Sequence, residues 1–309
     1  MKNLPFIEDT YLDGTALKEQ VFTTDDANYF YKTFRPGAPI PKEMVKVVND
    51  AQKICEIFNL KGVQFGNWLT TEDKYNYLAA TYICFNDINK VLKFKSNNIG
   101  FKNLILSFGA RGVSSASAHF ESSTEAINIT RYWRSDKIVK LLQSFGKPVK
   151  KGTIFPKNDR LLTTGGAGSL AHEYGHFLDY FFGRYAEPNP KSNWLSGPYR
   201  TTAKKIDVPT QPLRLQMYYV INTALFDAKG KPTTYNKNIS KESDYINRRL
   251  EIFARIFEQY ILYKLKVLKI ENKFLTKTVY KNNFYMNEAE FKKVLPHLDK
   301  LVLIMQKLS

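Results

Sequence analysis

The sequence has little that would support export or a disulfide framework. Its 309 residues include two cysteines, Cys55 and Cys84, which lie in apolar, helix-like surroundings. Both are predicted to be buried thiols in a reducing compartment, with a single disulfide as the alternative. The first residues lack the apolar core of a signal peptide, and no apolar run is long enough to span a bilayer. We therefore expect a protein that is not secreted by a signal peptide and has no membrane partner.

Acidic residues and histidine are also scarce beside lysine and arginine. The chain has 46 basic and 29 acidic residues, a net charge of +17, and 4 histidines. Residues 131–160 hold nine basic and two acidic side chains. Such a segment can attract nucleic acid or an acidic partner, but lysines often do no more than solvate the outer face of a helix. The 22 Phe and 19 Tyr, without an internal repeat, argue against a disordered or repetitive chain.

Two of the four histidines fall in one short stretch, His172-Glu-Tyr-Gly-His176, which has the pattern His-Glu-x-x-His. On an α-helix, residues four apart share a face, so both imidazoles can bind one metal ion. Glu173 follows the first histidine, where its carboxylate can act on a metal-bound water without being a ligand. A buried helix with two satisfied core histidines is the alternative. Because histidine is so scarce in this chain, the pattern favours a zinc site.

Hydrophobic periodicity predicts where the other elements lie. Ser169 is the predicted N-cap of the histidine helix and Gly183 its predicted C-terminal stop. Strands are expected before most of the helices, which predicts an α+β fold with a helical C-terminal half. Residues 1–40 are predicted as an N-terminal extension and 41–309 as one domain. The predicted helices lie at about 42–58, 72–95, 213–226, 242–267 and 288–308, and the predicted strands at about 62–68, 104–108, 117–120 and 126–130.

A catalytic zinc site needs a third protein ligand, and the chain offers few candidates downstream. His297 follows Pro296 in the last predicted helix, where packing or surface exposure is the more typical role. Asp179 lies three residues after His176 and therefore on the same helical face. This position suits a carboxylate that orients a histidine or an arginine, with direct ligation as the alternative.

Glu251 is the favoured third ligand. It lies at the edge of a predicted buried face in the helix at about 242–267, and the small residue Ala254 follows one turn later. A carboxylate there can reach a zinc ion on another helix, while Ala254 lets the two helices approach closely. The alternative for Glu251 is a surface ion pair with Arg248 or Arg255, and Glu258 is the second choice as ligand.

Six stretches of the chain occur together in the order seen in one known family. They resemble the zincin-like metallopeptidase domain associated with the large polyvalent proteins of phages and mobile elements. The resemblance runs from about residue 58 to the C-terminus. It implies a zincin fold, Zn2+ as cofactor, Glu251 as the third ligand and an origin in a phage or mobile element. The stretches are Phe58–Trp68, Leu106–Gly112, Ala118–Glu121, Ile127–Arg131, Gly168–Asp179 and Glu251–Glu258.

The basic residues 133–163 depart from the pattern of that family. They look like an insertion, which could cover the active site or dock to a partner. The glycine-rich loop at 165–168 has no following Gly-Lys-Ser/Thr, so it is predicted to be a flexible entry to the helix rather than a phosphate loop.

The resemblance implies hydrolysis of a peptide bond by zinc-activated water. His172, His176 and Glu251 would hold the zinc, which lowers the pKa of its bound water towards about 7. Glu173 would take the proton of that water and pass it to the leaving amine. The expected partner is then a protein or peptide substrate.

In zincins the strand before the metal helix is an edge strand that lies along the cleft beside this helix. The corresponding strand here, which would bind an extended substrate by strand addition, is formed by Ala126, Ile127, Asn128, Ile129 and Thr130. The oxyanion needs a donor, and the candidates are His119, Tyr260, Tyr219 and Arg255. His119 is slightly preferred because its hairpin leads into the cleft strand, with a structural histidine as the alternative. Arg255 and Asp179 are also predicted to lie just outside the metal ligands.

Two other functions compete with the peptidase. The first is a phage structural or cargo protein that keeps the zincin fold and binds virion proteins or DNA through its basic surface. The second is a toxin- or immunity-type metallopeptidase that cleaves one host regulator. All three functions place the protein in the cytoplasm of a host bacterium or in the phage virion.

Overall fold

The computed structural model describes residues 42–48, 50–67, 69, 71–111, 118–129, 168–198, 202, 206–277 and 283–309. The predictions for residues 1–40, for the basic insertion at 133–163, for the glycine loop before Gly168 and for Thr130 lie outside the described residues. The chain forms two compact units, Met1–Leu170 with Leu265–Val279, and Ala171–Lys264 with Tyr280–Ser309. Residues 41–309, predicted as one domain, contribute to both units.

The first helix predicted from the sequence is interrupted. Two helices occupy this stretch, α1 (Lys42–Val47) and α2 (Ala51–Phe58). Asp50 has an extended backbone, and its side chain accepts hydrogen bonds from the backbone N–H groups of Gln52 and Lys53. The prediction of one continuous helix is therefore wrong, because an aspartate that caps the second helix breaks the first.

Both cysteines are buried and free, as predicted. Cys55 lies on α2, and burial, reinforced by the nearby acidic charges of Glu56 and Asp50, raises the pKa of its thiol to about 12. Cys84 lies on α3 (Thr71–Leu92), where its sulfur atom is 3.6 Å from the side-chain oxygen of Asn272. Both thiols are therefore packing groups and not reactive nucleophiles.

A small mixed sheet forms the centre of the first unit. It consists of β1 (Gly62–Phe65), β2 (Ile105–Phe108), β3 (Ala118–Glu121) and β4 (Ala126–Ile129) in the spatial order β1-β2-β4-β3. Strands β1, β2 and β4 run parallel to one another. Strand β3 pairs antiparallel with β4, to which the predicted turn connects it. Helix α3 connects β1 to β2, as parallel pairing requires, and a short 3-10 turn follows it at Lys95–Asn97.

The predicted substrate strand does not lie at an edge of this sheet. β4 pairs with β2 on one side and with β3 on the other, so it has no free edge for a substrate strand. Among the described strands the edges are β1 and β3. The prediction of an edge strand at Ala126–Ile129 is wrong, because the hairpin places β3 outside β4.

The two faces of the sheet differ in polarity. On one face Phe108 stacks against Phe65 and against Tyr77 of α3, at 5.8 and 4.4 Å between ring centroids. On the other face, polar side chains lie in one row across all four strands because side chains alternate along a strand. In strand order the row is Gln64, Ser107, Asn128 and His119.

The described residues of the second unit are largely helical. Its elements are α4 (Leu170–Phe181), α5 (Pro212–Leu225), α6 (Thr234–Ile239), α7 (Arg249–Val267) and α8 (Glu288–Leu308), and the ends of α4 and α7 extend into the first unit. The prediction placed the start of α7 too early and missed α6, which begins at a separate cap, Thr233. Helices α5 and α8 pack together through apolar faces, and Gln216 donates to the carbonyl oxygen of His297 at 2.9 Å.

Strands and helices together make the described fold α+β, as predicted. Across the described residues, no helix combines the length and the apolar character that a membrane crossing requires.

Candidate metal centre

Helix α4 is the predicted histidine helix, and it places two imidazoles side by side. His172 and His176 lie one turn apart, with ring centroids separated by 4.9 Å. His176 is buried, whereas 19% of the His172 side chain is exposed. Ser169, the predicted N-cap, directly precedes the helix. The helix thus offers one buried and one partly accessible imidazole on the same face.

The helical segment that contains the two histidines does not end at Gly183. The α-helix ends at Phe181 and continues as a π-helical turn, Phe182–Ala186. A Cβ atom at position 183 would lie 2.5 Å from the carbonyl oxygen of Asn193. The predicted stop is wrong, because this glycine permits a close backbone approach and does not form a left-handed cap.

Helix α7 brings a carboxylate to the two imidazoles. One oxygen of Glu251 lies 3.4 Å from Nε2 of His172, and the other lies 3.4 Å from Nε2 of His176. Glu251 is buried, with 3% of its surface exposed, which excludes the alternative of a surface ion pair. The structure therefore brings together the three residues that the sequence analysis proposed as ligands.

The donor atoms lie close enough together to hold a metal ion. One ligand atom from each of His172, His176 and Glu251 lies within 4.8 Å of the other two. With zinc–ligand bonds of about 2.0–2.2 Å, neighbouring ligand atoms of a tetrahedral site are roughly 3.3 Å apart. Each imidazole lies 3.4 Å from a different oxygen of Glu251. Two imidazoles and one carboxylate would also leave a fourth position for water or substrate, as in catalytic zinc sites.

Close contact between the two helices makes this geometry possible. A Cβ atom on Gly175 would lie 3.2 Å from Cα of Ala254 and 3.1 Å from the ring of Phe257. A side chain at position 175 would therefore require its neighbours on α7 to shift by a few tenths of an ångström. The prediction that Ala254 allows close helix approach is therefore confirmed, and Gly175 is its counterpart on α4.

Electrostatic coupling links the histidines to their acidic neighbours. Burial alone would lower the pKa of His172, but Glu251, Glu258 and the charge of Glu173 outweigh it and raise this pKa to about 10. Burial alone would raise the pKa of Glu251, but His176 and His172 hold it well below its usual value. The protein without a metal ion therefore keeps a proton between these groups that a bound cation would displace.

A second buried carboxylate lies on the other side of His172. Oε2 of Glu258, which is fully buried on α7, is 3.7 Å from Nδ1 of His172. The same oxygen accepts a hydrogen bond of 2.8 Å from the hydroxyl of Tyr285. From the sequence, Glu258 was predicted only as an alternative ligand, and Tyr285 was not predicted at all. No local signal marks Tyr285, because only the tertiary fold brings it to α7.

Asp179 lies fully buried behind the histidines, where burial raises the pKa of its carboxyl to about 6. One of its oxygens accepts a hydrogen bond from the backbone N–H of Ser196 at 2.8 Å. The buried cations Arg214 and Arg249 fix this loop by donating to the carbonyl oxygens of Trp194 and Ser196, respectively. The predicted role of Asp179 towards a histidine stays a prediction.

Arg255 lies beside the third candidate ligand. Its Nη1 is 4.0 Å from an oxygen of Glu251, and its Nη2 donates to the carbonyl oxygen of Ile246 at 2.5 Å. Its Nε lies 3.5 Å from the hydroxyl of Tyr235. These contacts agree with a position just outside the ligands.

The other predicted oxyanion donors have different surroundings. The hydroxyl of Tyr260 donates to Asp299 at 2.8 Å, so it is already engaged. Tyr219 of α5 is 40% exposed and stacks on His297 of α8, which agrees with packing, one of the two roles predicted for this histidine. His119 lies on β3 in the first unit, opposite Asn128, and its role as a donor stays a prediction. Glu173, the predicted base, is buried on α4 directly after His172.

The comparisons with known proteins locate one similarity. A family model described as large polyvalent protein-associated domain 1 matches residues 237–307. The match includes Glu251 and Glu258 on α7. It does not include the histidine helix α4, which lies earlier in the chain. No curated protein and no solved structure matches the chain. The C-terminal part is therefore similar to a domain associated with large polyvalent proteins.

Proposed function

We propose that this protein is a zinc-dependent peptidase encoded by a phage or mobile element. The observation that carries the proposal is the convergence of His172, His176 and Glu251, whose donor atoms lie within 4.8 Å of one another. The similarity of residues 237–307 to a polyvalent protein-associated domain supports the proposed origin.

Each residue of the cluster has a role that follows from its chemistry. His172, His176 and Glu251 would hold the zinc ion, which when bound supplies Lewis acidity and lowers the pKa of a water molecule. Glu173, adjacent to His172, would accept the proton from the attacking water and deliver it to the leaving amine. Arg255, 4.0 Å from Glu251, would keep that carboxylate ionised and in place.

Replacing the proposed base tests this function. We expect the wild-type chain with zinc to cleave a protein or a peptide library, and Glu173→Gln to lose at least about a hundredfold in rate because the proton acceptor is gone. Glu173→Gln should keep the zinc content of the wild type, and Glu288→Gln on the exposed start of α8 should keep both zinc and activity. Cleavage that persists in Glu173→Gln would contradict the assigned role.

The net charge of +17 favours a second candidate function, in which the chain is a structural or cargo protein that binds DNA or virion proteins. Binding through phosphate contacts would be strong at low salt and would fall steeply as salt rises. Retention on DNA that is the same for wild type and Glu173→Gln, without peptide cleavage by either, would favour this function. A chain that DNA does not retain at low salt would exclude the DNA-binding form of it.

A further inference from the structure

We infer that Glu258 is a positioning residue for His172, and that Tyr285 in turn positions Glu258. The inference rests on the proposed function, because it concerns the same zinc site. It assigns Glu258 a place outside the ligand set, where its effect on the metal passes through the imidazole.

His172 lies between two carboxylates of one helix. Its Nε2 is 3.4 Å from Glu251, and its other nitrogen, Nδ1, is 3.7 Å from Glu258. The two glutamates are seven residues apart on α7, which places them two turns apart on the same face. A histidine that binds a metal through one nitrogen commonly donates its other N–H to a carboxylate, which fixes the tautomer and the ring orientation. Glu258 occupies the position of that carboxylate.

Tyr285 holds Glu258 from the opposite direction. Its hydroxyl donates to Oε2 of Glu258, the same oxygen that faces His172. The backbone next to Tyr285 is fixed to α7 by two hydrogen bonds, from Gln259 to the carbonyl oxygen of Met286 and from the N–H of Met286 to Gln259. Burial and the negative charge of Glu258 raise the pKa of Tyr285 well above its ordinary value, so its hydroxyl remains a donor.

The positions of the candidate ligand atoms separate this role from that of a direct ligand. Glu258 is fully buried, and a buried carboxylate is costly unless charged or hydrogen-bonding groups face it. The cluster of candidate ligand atoms found among the described residues contains Glu251 but not Glu258. Glu251, Glu258 and Tyr285 all fall within the matched residues 237–307, so the matched segment would supply both carboxylates that face His172.

The test is the zinc affinity of the full-length protein, measured by competition with a chromophoric chelator. Glu258→Gln keeps the shape of the side chain and removes its charge, and we expect it to weaken zinc binding about 10- to 100-fold. Tyr285→Phe should weaken binding by a smaller factor, roughly three- to tenfold, because Glu258 is retained but no longer held. The matched controls are Glu288→Gln and Tyr245→Phe at exposed positions of the same unit, and both should bind zinc like the wild type.

The double variant distinguishes positioning through Glu258 from a general loss of structure. If Tyr285 acts through Glu258, Glu258→Gln combined with Tyr285→Phe should bind zinc no more weakly than Glu258→Gln alone. Independent losses that multiply would overturn this part of the inference.

The outcomes also separate the inference from the proposed function. A wild-type chain that binds no zinc overturns both. Zinc binding that Glu251→Gln abolishes and Glu258→Gln leaves unchanged overturns the inference alone. If Glu258→Gln does not fold, Tyr285→Phe decides, and an unchanged zinc affinity in that variant overturns the inference.

Discussion

At the scale of single residues, three glutamates of the described chain act on the imidazole of His172. Glu251 and Glu258 face opposite nitrogens of His172, and the charge of Glu173 also raises the pKa of this imidazole. Without a metal ion a proton on His172 partly balances these charges. A divalent cation would balance them more completely, which is the physical reason to expect metal binding here.

Zinc affinity should therefore rise with pH. The pKa of His172 in the metal-free protein is about 10, so at neutral pH a proton must leave before the nitrogen can bind zinc. We expect roughly tenfold tighter binding per pH unit between about pH 6.5 and 9, measured by chelator competition. Glu251→Gln removes the strongest acidic neighbour, and its residual binding should depend less on pH. An affinity independent of pH in the wild type would contradict the assigned protonation state.

The buried carboxyl of Asp179 should affect folding stability with the opposite sign to an ordinary salt-bridged aspartate. Its pKa in the folded protein is about 6, above its ordinary value of 3.8, so the folded state binds the proton more tightly. This group stabilises the fold when protonated, and its contribution is lost as the pH rises from about 4 to 6. In metal-free protein, the unfolding free energy of wild type should fall over that range relative to Asp179→Asn by on the order of 2 kcal/mol.

Denaturant unfolding at several pH values measures this difference. The variant serves as the internal reference, because all other titrating groups are shared. A constant difference between the two proteins from pH 4 to 6 would show that Asp179 has an ordinary pKa.

At the scale of elements, the contact of α4 with α7 determines whether the donors can meet. Ala254 is fully buried, and its Cα would lie 3.2 Å from a Cβ atom on Gly175. Ala254→Leu should lower the unfolding free energy by about 1–3 kcal/mol and weaken zinc binding, because the larger side chain separates the two helices. Ala289→Leu on the exposed surface of α8 is the matched control and should change neither quantity. Unchanged zinc affinity in Ala254→Leu would mean that the site does not depend on this contact.

Local signals in the sequence predicted the parts of the fold that depend on neighbouring residues. The histidine helix follows from a five-residue pattern, and α8 follows from a clear apolar period. Glu251 could be proposed because a small residue one turn away marked a close helix contact. Glu258, two turns further along α7, was predicted only as the second choice of ligand.

Features that depend on tertiary contacts could not be predicted from the sequence. Nothing near Tyr285 in the sequence indicates that its hydroxyl reaches Glu258. The position of β4 inside the sheet depends on which side β3 pairs, and strand propensity carries no information on that choice. Gly183 resembles a helix stop until the backbone near Asn193 is seen to pass within contact distance.

At the scale of the whole molecule, the matched residues 237–307 contain Glu251 and Glu258, and the histidine helix with Glu173 lies upstream of them. The candidate ligands nevertheless all belong to one compact unit, Ala171–Lys264 with Tyr280–Ser309. Of the matched residues, 237–264 and 280–307 belong to this unit, whereas 265–279 belong to the other.

The central claim is that this unit binds zinc through His172, His176 and Glu251, and elemental analysis of the purified full-length protein tests it most directly. We expect about one zinc ion per wild-type chain and a large loss in both His176→Ala and Glu251→Gln, because each removes one of three protein ligands. His297→Ala and Glu288→Gln are matched controls outside the cluster and should retain the wild-type zinc content. A wild-type chain without zinc, even after zinc is supplied, or an equal zinc content in all variants, would contradict the account.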